Sequence, residues 1–152
     1  MDADVIVEER MISYEREFIL QSCHYNSQET YDRYKQALEE VTGEDIRDKQ
    51  KAFDLLMKVL KDIHGHNFKV KVVGTRELMV DDDCIVVWDE ELDKLVNEWD
   101  RTNLSVHPDF KGFRATTEVM AVLLKEKLAK KWQDVHWVVV VEETRDIRAV
   151  AS

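Results

Sequence analysis

Hydrophobic and polar positions along this chain follow two periods, one of two residues and one of three to four. Between Val5 and Cys23, β-branched and aromatic residues fall at roughly alternating positions, and Tyr14, Phe18 and Leu20 share a parity that ends on His24. Such alternation marks a strand with one buried face, so a first strand delivering His24 is expected, with Cys23 facing the other way as a packed thiol. After a polar break, Asn26 and Glu29 have the form of a capping box, and Tyr31, Tyr34, Leu38 and Val41 follow on one helical stripe that Thr42-Gly43 ends. A second helix from about Glu44 carries Ile46, Phe53, Leu56, Met57, Leu60 and Ile63. These helices form an insertion at about residues 25 to 63, expected to pack Tyr31, Tyr34, Phe53, Leu56 and Leu60 onto the rest of the molecule.

The segment His64-Gly65-His66-Asn67-Phe68-Lys69-Val70-Lys71-Val72 alternates again, with His64, His66, Phe68, Val70 and Val72 on one face. Gly74-Thr75-Arg76-Glu77 reads as a turn, and Leu78 to Val87 as a further strand around the acidic tip Asp81-Asp82-Asp83. That tip lacks the alternating spacing and distal glutamate of a calcium loop and reads as a solvated turn. Asp89 is a candidate cap for a helix bearing Leu92, Leu95, Val96 and Trp99, and Thr116 for one bearing Met120, Leu123, Leu124 and Leu128. Lys125, Lys127, Lys130 and Lys131 read as the solvated face of the latter. Trp137 to Val141 is an uninterrupted apolar run, expected to be a strand buried on both faces, and it ends in Glu142-Glu143-Thr144. The order strand, helical insertion, strand pair, helix, helix, strand predicts an α+β fold with helices packed on an antiparallel sheet.

Composition narrows the function. At 152 residues the chain has the length of one domain, expected to span 1–152, and with 4 Gly and 1 Pro it should be dominated by long regular elements. A formal net charge of −10 repels phosphate backbones, which argues for no nucleic acid and no anionic membrane as partner, while leaving room for a local basic pocket holding a small anion. Cys23 and Cys84 form no Cys-x-x-Cys pair and read as reduced thiols. No apolar run approaches membrane-spanning length, and the acidic start Met1-Asp2-Ala3-Asp4 has no apolar core behind it, so a cytoplasmic protein is expected.

The candidate chemistry starts from His64 and His66. Two histidines at i, i+2 on a strand can converge on one metal ion, with Gly65 leaving the backbone open to a ligand. His24 is the candidate third ligand, which only folding can bring to the pair.

At this point the residues resemble the 6-pyruvoyl-tetrahydropterin synthase and 6-carboxytetrahydropterin synthase family, of the tunnelling fold. Leu20-Gln21-Ser22-Cys23-His24 is similar to the family's first strand ending in a zinc-binding histidine, and His64-Gly65-His66-Asn67-Phe68 to its His-Gly-His-Asn-aromatic signature. Ala115-Thr116-Thr117-Glu118 resembles its Pro-Thr-x-Glu helix start, Asp100-Arg101-Thr102-Asn103-Leu104 its Asp-His-x-x-Leu segment, and Glu143-Thr144 with Ala149 its closing strand. The resemblance covers most of the chain outside residues 25 to 63. It implies a fold with two helices on one face of the sheet and the insertion between the first two strands. It further implies Zn2+ held by His24, His64 and His66, and a lyase acting on 7,8-dihydroneopterin triphosphate or a related pterin, with a place in tetrahydropterin or queuosine biosynthesis. The implied assembly is a homo-oligomer, a trimer or hexamer.

Physical chemistry is consistent with those implications. Three neutral imidazoles with an open fourth position make a Lewis-acid zinc site that favours deprotonation of substrate hydroxyls. A carboxylate near it can accept two parallel N–H bonds from the guanidine-like edge of a pterin ring. Strand parity puts Glu143 on the face of Trp137, Val139 and Val141 and Glu142 on the other, so Glu143 is the expected anchor and Glu142 the next candidate. Substrate contacts are also expected from Thr116 and from Arg101, the latter toward phosphate oxygens. The chain departs from the family in its acid–base parts. The family's proton-abstracting cysteine is absent from Lys58-Val59-Leu60-Lys61-Asp62-Ile63, and Arg101 stands where the family has a histidine beside Asp100. Asp100 remains the matching catalytic candidate of that segment, and Asp62 and His107 are the candidate stand-ins. Two further readings therefore accompany the enzyme: a zinc- and pterin-binding homologue with altered or lost activity, and an interaction protein that works through its insertion.

Overall fold

Two strands of 15 residues form the spine of the molecule: β2 (Met11–Tyr25) and β3 (Ile63–Glu77) pair antiparallel along their whole length, from Met11 opposite Glu77 to Tyr25 opposite Ile63. The computed structural model describes residues 4–8, 10–25, 28–41, 46–77, 85–144 and 147–152. Around the ribbon lie β1 (Asp4–Glu8), α1 (Gln28–Glu39), α2 (Ile46–Asp62), α3 (Ile85–Asn97), α4 (Thr117–Lys131), β4 (His136–Thr144) and β5 (Ile147–Ala151), with short 3-10 turns at Leu104–Val106 and Pro108–Phe110. The strands form one antiparallel sheet in the order β1-β2-β3-β4-β5. Successive strands are thus neighbours, and the two helical segments are excursions from a meander.

The alternating pattern decides which face is covered. Tyr14, Phe18 and Leu20 of β2, Phe68, Val70 and Val72 of β3, and Trp137, Val139 and Val141 of β4 are all buried, and they pack in one core with Leu92, Val96 and Trp99 and with Met120, Leu124 and Leu128 of α4. Thr116 caps α4 as expected, its hydroxyl accepting the Val119 N–H at 3.3 Å. Lys130 and Lys131 occupy its last turn, where cations favour the dipole. Among the described residues no helix is long and apolar enough to cross a membrane.

Several expectations need correction. The strand expected from Val5 is two strands: β1 folds back with Glu8 opposite Met11, next to Arg10 in a left-handed conformation at φ 68°. No glycine or asparagine announces that reversal, and the insertion consequently lies between the second and third strands. Gly74-Thr75-Arg76-Glu77 is strand, not turn: Gly74 is paired with both Tyr14 and Trp137, and a Cβ there would come within 2.7 Å of the Trp137 ring. The glycine is needed for close packing. Residues 85 to 87 open α3, while the rest of the expected strand, including Asp81-Asp82-Asp83, lies outside the described residues. So do Asn26, Thr42, Gly43 and Glu44.

Asp89 does not cap α3 but sits inside it, accepting hydrogen bonds from Tyr14 and the buried Arg16, which also reaches Asp93 at 2.6 Å. Burial and the Asp89 contact push the Tyr14 phenol up to about 12. The Trp137–Val141 run is buried on one face only, since Val138 and Val140 are half-buried on the helix-free side. Finally, the insertion turns an unexpected face inward. Ala37, Ala52 and Val59 are buried, whereas Phe53 is 55% and Leu60 54% exposed. Of the stripe expected to pack, Tyr31, Tyr34 and Leu56 are half-buried, and Phe53 and Leu60 are left on the outside.

Candidate metal centre

The sheet register brings distant histidines to one place. His24 is directly opposite His64, and His66 is opposite Ser22, so the three rings gather where the β2–β3 ribbon meets the insertion. Ring centroids are 4.3 Å apart for His24 and His64, 4.6 Å for His64 and His66, and 5.1 Å for His24 and His66. Fully buried Phe68 closes the floor, its ring 5.4 Å from that of His66. From β4, Glu143 enters the same space, and one ligand atom from each of His24, His64, His66 and Glu143 lies within 4.8 Å of the others.

Hydrogen bonds prepare two of the rings as ligands. A backbone carbonyl can only accept, so the contact of His24 Nδ1 with Ala115 O at 2.5 Å puts the proton on Nδ1 and the lone pair on Nε2. His64 Nδ1 donates to Asp62 O at 3.2 Å with the same result. These are the outer contacts that orient metal-binding imidazoles. Burial pushes the His24 imidazole below its ordinary value; the Ala115 bond opposes this, and the His64 and His66 rings add to it. The neutral, metal-competent form is therefore favoured. The Nε2 atoms of His24 and His66 are shielded from solvent, and neither has a hydrogen-bond partner among the described residues. Glu143 Oε1 stands 2.7 Å from His66 Nε2, within ion-pair distance. Buried nitrogens without a hydrogen bond are costly. A cation among them removes that cost, and a set of imidazole nitrogens with one carboxylate oxygen suits zinc.

The remaining candidates stand elsewhere. Asp100 Oδ1 accepts the Gln21 N–H at 2.8 Å, and Arg101 N donates to Gln21 O at 2.7 Å, so this segment continues the open edge of β2. The Arg101 side chain is 82% exposed and borders a shallow groove with Cys23, Gly65 and Asn67. Burial pushes the Cys23 thiol up, away from a reactive thiolate. Asp62 is the last residue of α2 and touches the cluster through its carbonyl. His107 Nδ1 accepts the Asp109 N–H at 3.1 Å as the cap of a 3-10 turn, and the ring borders a cleft of about 610 Å³ with Tyr31, Lys35 and Arg114. Glu142 faces away from the cluster toward Arg148 at 3.9 Å, in line with its strand parity.

Sequence reasoning missed Ala115, whose carbonyl orients His24. Its only signal was position: it is the residue before the Thr116 cap, so the same cap that starts α4 fixes the backbone beside the histidine. It also missed the stack of Tyr25 on Tyr31, with centroids 5.0 Å apart, which ties α1 to the strand end next to His24.

The profile of one known family, described as 6-pyruvoyl tetrahydropterin synthase, matches residues 16–152. The solved structure of Caenorhabditis elegans 6-pyruvoyl tetrahydropterin synthase superposes with a TM-score of 0.63 over 97% of this chain and 99% of that one, at 19% sequence identity, and so shares the fold. No functionally curated protein matches the chain significantly. The match spans most of the sheet, α4 and all three histidines, and the chain belongs to the 6-pyruvoyl tetrahydropterin synthase family.

Proposed function

We propose that the chain is a zinc-dependent pterin enzyme that binds 7,8-dihydroneopterin triphosphate or a close relative and acts on it by lyase chemistry. Membership in the family supports a pterin-pathway enzyme of this type. The observation that carries the zinc reading is the pair of imidazoles, His24 and His64, held with Nδ1 as donor so that Nε2 is free to ligate beside His66. Zinc, when bound, supplies the Lewis acidity that makes a substrate hydroxyl easier to deprotonate.

The chain's own residues do the rest. Glu143 accepts N–H bonds from the ring edge of the pterin and fixes its orientation. Phe68 excludes water beneath the histidines. The side chain of Asp62 is the proposed proton acceptor, because its residue adjoins the His64 ring, whereas the Nδ1 atom of His107 is engaged by the Asp109 N–H. Without the family's cysteine and histidine, turnover is slow, since a well-placed general base contributes about 10²- to 10⁴-fold. The open edge of β5 and the helix-free sheet face support a homo-oligomer.

The test is anaerobic incubation of the zinc-loaded protein with 7,8-dihydroneopterin triphosphate, with products identified by chromatography and repeated for Asp62→Asn. Bound substrate with slow conversion, slower still in the variant, is expected. Fast conversion that Asp62→Asn and His107→Ala leave unchanged would sink this account of the base. A second reading, in which the insertion is an interaction surface, draws on the exposed Phe53, Met57 and Leu60 of α2. A protein with neither zinc nor pterin affinity would favour it.

A further inference from the structure

We propose that the cleft between α1 and the loop leading from Ser105 to Arg114 binds the phosphate groups of an organic polyphosphate. The inference goes beyond the zinc and pterin readings above, and rests on them only where the ligand is the pterin substrate itself. The cleft measures about 610 Å³, a size that suits a small molecule, and Tyr31, Asp32, Lys35, Lys111, Phe113 and Arg114 are among the residues lining it. None of the candidate metal ligands does so.

Charge singles this cleft out. The chain carries a formal net charge of −10, yet here three cations, Lys35, Lys111 and Arg114, stand against one carboxylate, Asp32. Like charges gathered in a concave site focus the field and draw in an ion of opposite sign. Among the described residues Lys35 and Lys111 form no ion pair, and the Lys35 ammonium lies 5.7 Å from the centre of the Tyr31 ring. Arg101, expected toward phosphate oxygens, borders the other groove, where it is the only lysine or arginine among the described lining residues. A chain of phosphates carries several charges, which a cluster of cations matches better than one guanidinium.

Both walls are in place before a ligand arrives. Phe110 is buried and anchors the loop, and the Lys111 N–H donates to Pro108 O at 3.2 Å and the Phe113 N–H to Phe110 O at 2.9 Å. Between them Gly112 takes φ 84°, a left-handed conformation that turns the loop between Lys111 and Arg114. On the other wall, Tyr31 of α1 is held by its stack on Tyr25, with centroids 5.0 Å apart. Tyr25 follows His24 in β2, and Arg114 precedes Ala115, whose carbonyl holds the His24 ring. The cleft is therefore fastened to the strand end that carries the candidate metal centre. Two sources of phosphate fit it: the tail of a pterin triphosphate, and a separate nucleotide.

Calorimetry on the full chain at low salt tests this with 7,8-dihydroneopterin triphosphate, 7,8-dihydroneopterin, ATP and inorganic tripolyphosphate. Wild type is compared with Lys35→Gln combined with Lys111→Gln, with Arg101→Gln, and with Lys49→Gln combined with Lys58→Gln. The last removes the same charge from exposed positions of α2. Circular dichroism checks folding, which substitution at these exposed residues should leave intact. Loss of Lys35 and Lys111 should weaken polyphosphate binding about 10-fold or more and leave 7,8-dihydroneopterin unaffected, whereas the α2 control should change either by no more than about 2-fold. Tightest binding by the pterin triphosphate would support the cleft as the seat of the substrate's tail, and equally tight ATP or tripolyphosphate would support it as the seat of a separate polyphosphate. Affinities that fall equally in the lysine pair and the control, or with Arg101→Gln and not with the lysine pair, would overturn the proposal. So would failure of all three polyphosphates to bind wild type. If neither pterin binds while ATP and tripolyphosphate still bind through the lysines, the pterin reading fails and the cleft stands.

Discussion

The β2–β3 ribbon and the α1–α2 insertion are both long, apolar-patterned segments, and they treat their large side chains in opposite ways. On the ribbon, Phe18, Leu20, Phe68, Val70 and Val72 are 6% exposed or less, and the same face carries the histidines. In the insertion the buried positions are Ala37, Ala52 and Val59, while Ile46 is 79% exposed and Phe53 and Leu60 more than half exposed. A strand has two faces, and its neighbours in the sheet decide between them for every residue at once. A helix can turn about its axis to offer whichever stripe packs best, and here the small residues won. The candidate metal ligands His24, His64 and His66 are borne by the element whose orientation is over-determined. The element with freedom to turn is left at the surface.

That contrast can be broken or sharpened by experiment. The largest effect should come from His64→Ala combined with His66→Ala. Elemental analysis should find about one zinc per wild-type chain and close to none in the variant, because one imidazole with one carboxylate makes a poor site. Zinc retained at full occupancy would mean that the ribbon does not hold the metal. Next, Phe68→Ala should cost about 3–5 kcal/mol in chemical denaturation, since it empties a fully buried site under the histidines. A cost below 1 kcal/mol would show that the ribbon face is no better packed than the insertion.

A smaller effect is expected at Asp109, which links the helix layer to the loop preceding α4. Its Oδ2 accepts from Trp99 Nε1 at 2.8 Å and from Lys127 Nζ at 2.6 Å. Burial alone would raise this carboxyl, but the hydrogen bonds from Lys127 and Trp99 outweigh it and hold Asp109 below its ordinary value. A depressed folded-state value stabilises the protein above the unfolded carboxylate range and is lost as pH falls through the folded value. Asp109→Asn should therefore cost about 1–2 kcal/mol at neutral pH, and the difference from wild type should shrink in acid. A difference independent of pH would point to packing instead of charge. The smallest effect belongs to the insertion: Phe53→Ala should change stability by no more than about 0.5 kcal/mol, as for surface positions. A loss comparable to that of Phe68→Ala would show that the outer stripe of α2 is covered in solution.

What the sequence by itself determined is what depends on local periodicity. Alternation put His64 and His66 on the apolar face of one strand and separated Glu143 from Glu142, and the Thr116 cap and the apolar stripe of α4 could be read directly. What only the tertiary structure decided is what depends on register between distant segments. The pairing of His24 with His64, the Ala115 carbonyl on the His24 ring and the register shift between Glu142 and Thr144 all belong to this class. So do the β1–β2 reversal at Arg10, the continuation of β3 through Gly74 and the choice of inner face for α1 and α2. Periodicity is a property of neighbours along the chain, which the sequence lists in order. Register and helix rotation are chosen by the whole packed core, where one close contact, such as Trp137 against Gly74, outweighs the local signal for a turn.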